Sequence, residues 1–390
     1  MLARLRFPVE RSRGRRYPEP QHPYRNAFQR DRDRVVHSRA FRRLEAKTQV
    51  FTPGLSDHFR NRLTHTIEVA QIARTLANVL QLDEDLTEAL ALAHDIGHPP
   101  FAHAGEEALN GEMERFGERF DHNLHALRIV ESFEQRYARF PGLNLSFEVR
   151  EGIVKHSHDF EPGETALLDA YLPGVRPPLE AQLIDPADEV AYNTADLDDA
   201  WSAGLITARD VAQAVPQYRE IHEAVETQFP GATERERFHE ALRQLIDLLV
   251  SGLIEGTVTA AEASGAAGFE EVRAHPARLA RFTAEAGETS RALKRFLYAR
   301  VYASDALGSD RRLSMARIAG LFRFFLANPD RLPQPYAQQA LDEPAHRVVC
   351  DYIAGMTDAF LHRTYELMLC PAGAATFSGS LPMNTTHPGD

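Results

Sequence analysis

Apolar positions recur at helical spacing along most of the chain, and no strand-like alternation of useful length interrupts them. The pattern is clearest over residues 63–80, where Val69, Ile72, Ala73, Leu76 and Leu80 share one face. Residues 86–93 are a short apolar run of helix formers that closes on His94-Asp95-Ile96-Gly97, ahead of a Pro99-Pro100 break. A new helix is predicted to begin near His103, and the pattern resumes over 124–137 and 147–156. Asp185 is placed to cap a helix with Pro186 at its first position, running to about residue 203. Amphipathic stretches cover 234–253 and 291–302, with a small-residue loop over 263–269. The tail from Pro371 is rich in Gly, Ser, Thr and Pro and is predicted to stay flexible. No internal repeat of fixed period is present. The predicted fold is all-α: a helical core with additional C-terminal helices in one compact multi-helix unit. Its divisions are a basic arm at 1–25, a core at 26–205, a C-terminal helical region at 206–370, and the tail at 371–390.

Composition narrows the class. Apolar residues are 43% and charged residues 26%, ordinary values for a globular chain. No apolar run approaches the roughly 20 residues of a membrane helix, so no membrane partner is expected. The arginine-rich start has no apolar stretch behind it, which argues against a secretory signal. Two cysteines, Cys350 and Cys370, leave no disulfide framework and no thiolate metal site, and a cytoplasmic location follows. The net charge of −12 hides an asymmetry: residues 1–48 hold 14 Lys/Arg against 5 Asp/Glu, a balance of +9, so the remainder carries −21. A basic head on an acidic body suits a polyanion, either phosphates or single-stranded DNA. Equally, it suits a partly disordered arm lying on the acidic body of its own or a neighbouring subunit. From Arg30 onward the arginines alternate with apolar residues, as in an ordered helix.

Four residues mark a candidate metal site. His65 lies four positions before Val69 and seven before Ile72, on the inward face of its helix. His94 follows Leu90 by four, Asp95 comes next, and Gly97 lets the backbone turn away. Asp188 follows Ile184 by four and precedes Ala191 by three. Two imidazoles and two carboxylates make a mixed N/O site that suits Mn²⁺, Mg²⁺, Fe²⁺ or Zn²⁺. A lone inward His or Asp is more often a hydrogen-bonded core residue. Here, however, His94, His98 and His103 crowd ten residues of an apolar region, and burying so many titratable groups is costly without a function.

The set His65 … His94-Asp95 … Asp188 resembles the signature of HD-domain phosphohydrolases. The likeness is closer still to the deoxyguanosine triphosphate triphosphohydrolase-like subfamily. It is carried by Ser38-Arg39-Ala40-Phe41-Arg42-Arg43-Leu44, Lys47-Thr48-Gln49-Val50-Phe51 and Arg62-Leu63-Thr64-His65-Thr66. His94 to Phe101, His103-Ala104-Gly105-Glu106, Phe120-Asp121-His122-Asn123, Gly142-Leu143-Asn144-Leu145 and Asp188-Glu189-Val190-Ala191-Tyr192 continue the series. Order and spacing hold from about residue 25 to 367. The resemblance implies a helical HD core, a hexamer or other dimer-based homo-oligomer, and cleavage of a deoxynucleoside triphosphate into deoxynucleoside and intact triphosphate. Mn²⁺ or Mg²⁺ is the implied metal, with Fe²⁺, Co²⁺, Ni²⁺ or Zn²⁺ as further options. Two departures stand out: His125 occupies a position where the family often has Gln, and Pro186 precedes the metal Asp and is expected to kink its helix.

The residues also suggest a division of labour. Hydrolysis at the α-phosphorus needs a nucleophilic water, charge neutralisation and a proton for the leaving oxygen, and a metal serves the first two. His103 and Glu106 share one helix face, so the carboxylate can orient the imidazole. By resemblance His103 protonates the departing 5′-oxygen and His122 completes its network. Arg62, one turn before His65, is placed to reach phosphate oxygens. Asp188, Tyr192 and Asp196 form one ridge. The resemblance gives Gln49 the sugar 3′-hydroxyl, sets Tyr192 where a 2′-hydroxyl would clash, and has Asp196 assist at the sugar. Lys294-Arg295-Phe296-Leu297-Tyr298 is a basic-aromatic stretch suited to further phosphate contacts. Two rivals remain: another HD nucleotide phosphodiesterase, and a nucleotide sensor or nucleic-acid binder on the same fold.

Overall fold

Helices make up the architecture, as the periodicity predicts; the only pairing of extended backbone among the described residues is two isolated bridges, Arg15 with Ser146 and Thr48 with Asn61. The computed structural model describes residues 1–50, 59–164 and 166–370, so Phe51 and the tail 371–390 lie outside the described residues. The helices used below are α1 (Ala27–Val36), α2 (Arg62–Leu80), α3 (Glu84–Ala93), α4 (Ala102–Met113), α5 (His122–Arg128), α6 (Phe147–Val154), α7 (Ile184–Ser202), α8 (Glu234–Ser264), α9 (Ala284–Leu297), α10 (Asp305–Ala327), α11 (Ala345–Ala354) and α12 (Asp358–Leu369).

Local chemistry explains where these helices start. Asn61 and Thr64 form a capping box on α2, and Asp83 accepts from the Leu86 amide at the head of α3. Asp185 does not cap α7; Leu183 holds that position without a side-chain bond. Pro186 falls in the first turn, where amides have no intrahelical partner, so its missing N–H costs α7 no hydrogen bond. The break lies ahead of it, where the short helix Leu179–Gln182 closes and α7 begins at Ile184. The predicted helix over 124–137 is shorter: α5 passes into a single π-turn, Ile129–Phe133, after which the Glu134 carboxylate takes the Ala40 amide at 2.7 Å. α8 runs 31 residues, past the expected end at 253, and the loop after it shrinks to 265–268. By length and composition α8 could cross a membrane, with a window of mean hydropathy 1.3, contrary to the expectation that no segment could. In this fold Leu245, Leu249 and Leu253 lie in the core.

Contacts group the chain into two compact units. The first joins 1–97 with 122–309, and the second joins 98–121 with the chain from 310 onward. Each has its own apolar cluster. The first is built around α2, α3, α7 and α8. The second sets Leu109 and Met113 of α4 among Ile318, Phe322, Val349 and Ile353. The arm 1–25 packs against the first unit because it carries apolar residues as well as charge. Leu2, Leu5 and Phe7 are fully buried, Arg15 pairs with buried Asp31 at 2.5 Å, and Arg34 of α1 pairs with Glu19 at 2.8 Å.

Candidate functional site

The first unit packs the start of α2 along α7. Arg60, just ahead of α2, reaches Glu68 at 2.9 Å, Asp198 at 2.9 Å and Asp199 at 2.6 Å, fastening the start of α2 to α7. One turn into each helix, His65 Nε2 lies 2.8 Å from Asp188 Oδ1. His94, at the end of α3, sets its Nε2 3.8 Å from the same oxygen and 3.7 Å from Asp95 Oδ1. The His94 Nδ1 is 2.6 Å from the Ala91 carbonyl, which assigns the proton to Nδ1 and leaves the Nε2 lone pair facing the cluster. That Nε2 is buried without a partner, a costly state unless something else occupies the site. Gly97 makes the turn possible: a Cβ there would meet the His122 carbonyl at 2.0 Å and the Ala126 amide at 2.5 Å.

Charges in the cluster reinforce one another. Burial works to raise Asp188, but the hydrogen bond and charge of His65, with His94 and His156 beyond, pull it down to about 2. Burial depresses His65, and Asp188 together with Asp95 more than reverses this. An octahedral ion with bonds near 2.1 Å sets neighbouring ligand atoms about 3 Å apart. Separations of 2.8 to 3.8 Å, an unpartnered imidazole nitrogen and two carboxylates therefore fit a divalent ion.

Asp95 is also anchored from behind, because Arg62 Nη1 reaches its Oδ2 at 2.6 Å with both side chains buried. The arginine expected at phosphate is thus engaged on the carboxylate of Asp95, a candidate ligand, with its Nε left unpartnered. Gln49 sits beside the head of α2 through the Thr48–Asn61 bridge, and its buried Oε1 has no partner. Tyr192 and Asp196 continue the ridge of α7, and α9 with the turn after it lies along that ridge. Ser290 hydrogen-bonds both Glu189 and Asn193, Lys294 stands 5.7 Å over the Tyr192 ring, and the Tyr302 hydroxyl donates to Asp196. Burial keeps Tyr302 protonated, and it pushes Asp196 up to about 7 against the Tyr302 hydrogen bond. His122 opens α5, and Asn123 ties that helix to the His156 carbonyl at 2.9 Å. His125 is buried, its ring 6.2 Å from that of Phe133.

In the second unit α4 brings His103 and Glu106 together, with Nδ1 to Oε2 at 3.8 Å and His103 82% exposed. Sequence reasoning missed Tyr302, Ser290 and His156. The ring of His156 lies 5.3 Å from that of His94; its Nδ1 is 3.1 Å from Asp185, which Arg278 holds at 2.6 Å. Burial drives His156 below the ordinary histidine range despite Asp185. Its only sequence signal is a histidine closing an apolar helix.

The HD domain model matches residues 62–193 and the phosphohydrolase-associated domain model matches 280–367. A deoxyguanosinetriphosphate triphosphohydrolase-like protein of Geobacter sulfurreducens is 46% identical over 93% of this chain and 93% of its own length. Proteins of that description from Azoarcus sp. and Ralstonia nicotianae are 46% and 45% identical, over 91% and 90% of this chain and 93% and 89% of their own. The chain belongs to the deoxyguanosinetriphosphate triphosphohydrolase-like family. It is a hydrolase of the HD phosphohydrolase type, and its His/Asp cluster is compatible with a divalent metal. The HD match spans all four metal candidates, and the associated match supplies α9, Tyr302 and most of α12.

Proposed function

We propose that the protein hydrolyses deoxynucleoside triphosphates, dGTP among them, to deoxynucleoside and inorganic triphosphate. The observation that carries the reading is the buried His65–His94–Asp188 cluster with its unpartnered His94 Nε2; the printed description of the relatives supports the substrate class. A divalent ion held by His65, His94, Asp95 and Asp188, Mn²⁺ or Mg²⁺ foremost, supplies charge neutralisation at phosphate and acidifies water. Arg62 holds the Asp95 carboxylate in place, and the Ala91 carbonyl fixes the tautomer of His94. Water adds to the α-phosphorus, the bond to the 5′-oxygen breaks, and His103, oriented by Glu106 and assisted by His122, gives that oxygen its proton. Asp196 accepts from the sugar 3′-hydroxyl and Gln49 donates its side-chain amide to the same oxygen, with Tyr302 fixing one carboxylate oxygen of Asp196. Tyr192, braced by Lys294, closes the space a 2′-hydroxyl needs.

The test is product analysis of the four dNTPs and GTP with Mn²⁺ or Mg²⁺ in ¹⁸O-water. The expected result is triphosphate carrying the ¹⁸O, unlabelled deoxynucleoside and little turnover of GTP. Pyrophosphate with a nucleoside monophosphate would instead make the protein a different HD phosphodiesterase. Binding of single-stranded DNA without turnover would make it a sensor.

A further inference from the structure

The segment that leads into α4 is strained. Phe101 and Ala102 both adopt left-handed backbone, with φ of 61° and 54°, which side chains bearing a Cβ disfavour. His103 is the next residue. The elbow is packed onto the first turn of α4: the Pro100 carbonyl lies where a Cβ on residue 105 would stand, 1.9 Å away, so only glycine fits there. The Phe101 carbonyl accepts from the Ala104 and Gly105 amides. Strain of this kind persists only where surrounding groups over-determine it.

Those groups come from α12. The Phe101 amide donates to Asp358 Oδ1 at 3.1 Å, with both residues buried. The Phe101 ring lies 4.9 Å from that of His362, whose Nδ1 is 2.6 Å from Arg317 Nη1. α12 does not need Asp358 as its cap, because Thr357 already accepts from the Phe360 amide. Nor does the proposed chemistry use it. The carboxylate is a buried acceptor of the elbow's backbone amide.

We propose that Asp358, supported by the His362–Arg317 pair, is a positioning residue that holds the left-handed Phe101–Ala102 elbow and so sets His103. The inference rests on the reading of His103 as the acid. It also gives the phosphohydrolase-associated segment a definite task, which is to fix the backbone that carries a reacting group of the HD segment.

Two readouts separate the elbow from the chemistry in the full-length protein: amide hydrogen exchange over 99–105, and kcat and KM for dGTP with saturating Mn²⁺. Asp358→Ala is expected to speed exchange at Phe101 about tenfold to hundredfold, the range of a charge-assisted hydrogen bond. It should lower kcat about tenfold or more, with KM and metal content nearly unchanged. Asp358→Asn keeps the accepting oxygen without its charge and should restore most of both. Ala102→Gly removes part of the strain and should partly rescue Asp358→Ala. An Asn variant as impaired as the Ala variant, or faster exchange with unaltered kcat, would overturn the proposal. If Asp358→Ala fails to fold, Asp358→Asn and Ala102→Gly decide alone: the proposal requires exchange within about tenfold of wild type and nearly full kcat in the first, since a neutral acceptor is weaker than a charged one, and no loss of kcat in the second. If the wild type releases no triphosphate, the proposed function has failed, and exchange still shows whether Asp358 holds the elbow.

Discussion

Glu180 offers a test of the fold that does not depend on turnover. The side chain is fully buried, and its Oε1 accepts the Phe7 amide at 2.9 Å and the Asp83 amide at 3.1 Å. It thereby fastens the N-terminal segment to the head of α3. Burial, with a smaller push from Asp83, raises its carboxyl from 4.5 to about 7 despite those two amides. Below pH 4.5 the group is protonated in both folded and unfolded chains and costs nothing. Between 4.5 and 7 the unfolded chain releases the proton while the folded chain keeps it, so stability falls as pH rises. Above 7 both are ionised, and the full penalty stands at roughly 3 kcal/mol, from about 1.4 kcal/mol per pH unit. Glu180→Gln removes the titration and keeps an oxygen for both amides. Its new amide group has no partner where Oε2 now lies, which costs about 1–3 kcal/mol at every pH. The expectation is therefore a difference: relative to wild type, the variant gains about 3 kcal/mol between pH 4.5 and 8. Trp201 is the only tryptophan and stacks on Phe238 at 4.6 Å, so its fluorescence in urea follows the first unit. A stability difference that stays constant across this range would refute the linkage.

Two further predictions concern the site. Asp95→Ala leaves the Arg62 guanidinium buried and uncompensated, at a cost of about 3–5 kcal/mol, so the variant should lose stability as well as metal. Arg62→Leu with Asp95→Leu should regain most of the stability yet bind no divalent ion; full metal content by elemental analysis would remove Asp95 from the ligand set. Asp196, pushed up to about 7, accepts from the sugar more strongly as a carboxylate than as an acid, so kcat/KM for dGTP should fall as pH drops through that region. Tyr302→Phe removes the donor that favours the ionised form and should move this limb to higher pH with metal content intact; an unmoved limb would show that Asp196 does not control it.

The legible parts of the molecule were those written in local phase. His65, His94 and Asp188 could be placed inward because each sits at helical spacing from apolar residues, and the structure brings their ligand atoms together. The His103–Glu106 pair followed from the same three-residue spacing. Features that depend on a distant partner were not legible. Charge counting marked 1–25 as basic, but their packing comes from Leu2, Leu5 and Phe7 and from amides and carboxylates more than a hundred residues away, such as Glu148 and Glu180. The early end of α5 follows from Glu134 turning to the Ala40 amide and Leu143 returning to the Val130 carbonyl, pairings no periodicity encodes. Asp185 has the chemistry of a cap, yet it binds the Ser157 amide and Arg278 instead.

The two kinds of information divide along the chain in a way that matters for function. α2, α3 and α7 bear the candidate ligands, so changes there act first on metal content. Residues 278–302 bear none of them, but they hold what surrounds the ligands: Arg278 on Asp185 behind His156, Ser290 on Glu189, Lys294 over Tyr192 and Tyr302 on Asp196. Each of these contacts sets the orientation or protonation of a group on the α7 ridge without being able to bind the ion. Substitutions in this stretch should therefore leave metal content intact and alter pH dependence and sugar preference. A member of this family that keeps the four ligand positions but differs across 278–302 would then bind the same metal and choose a different nucleotide.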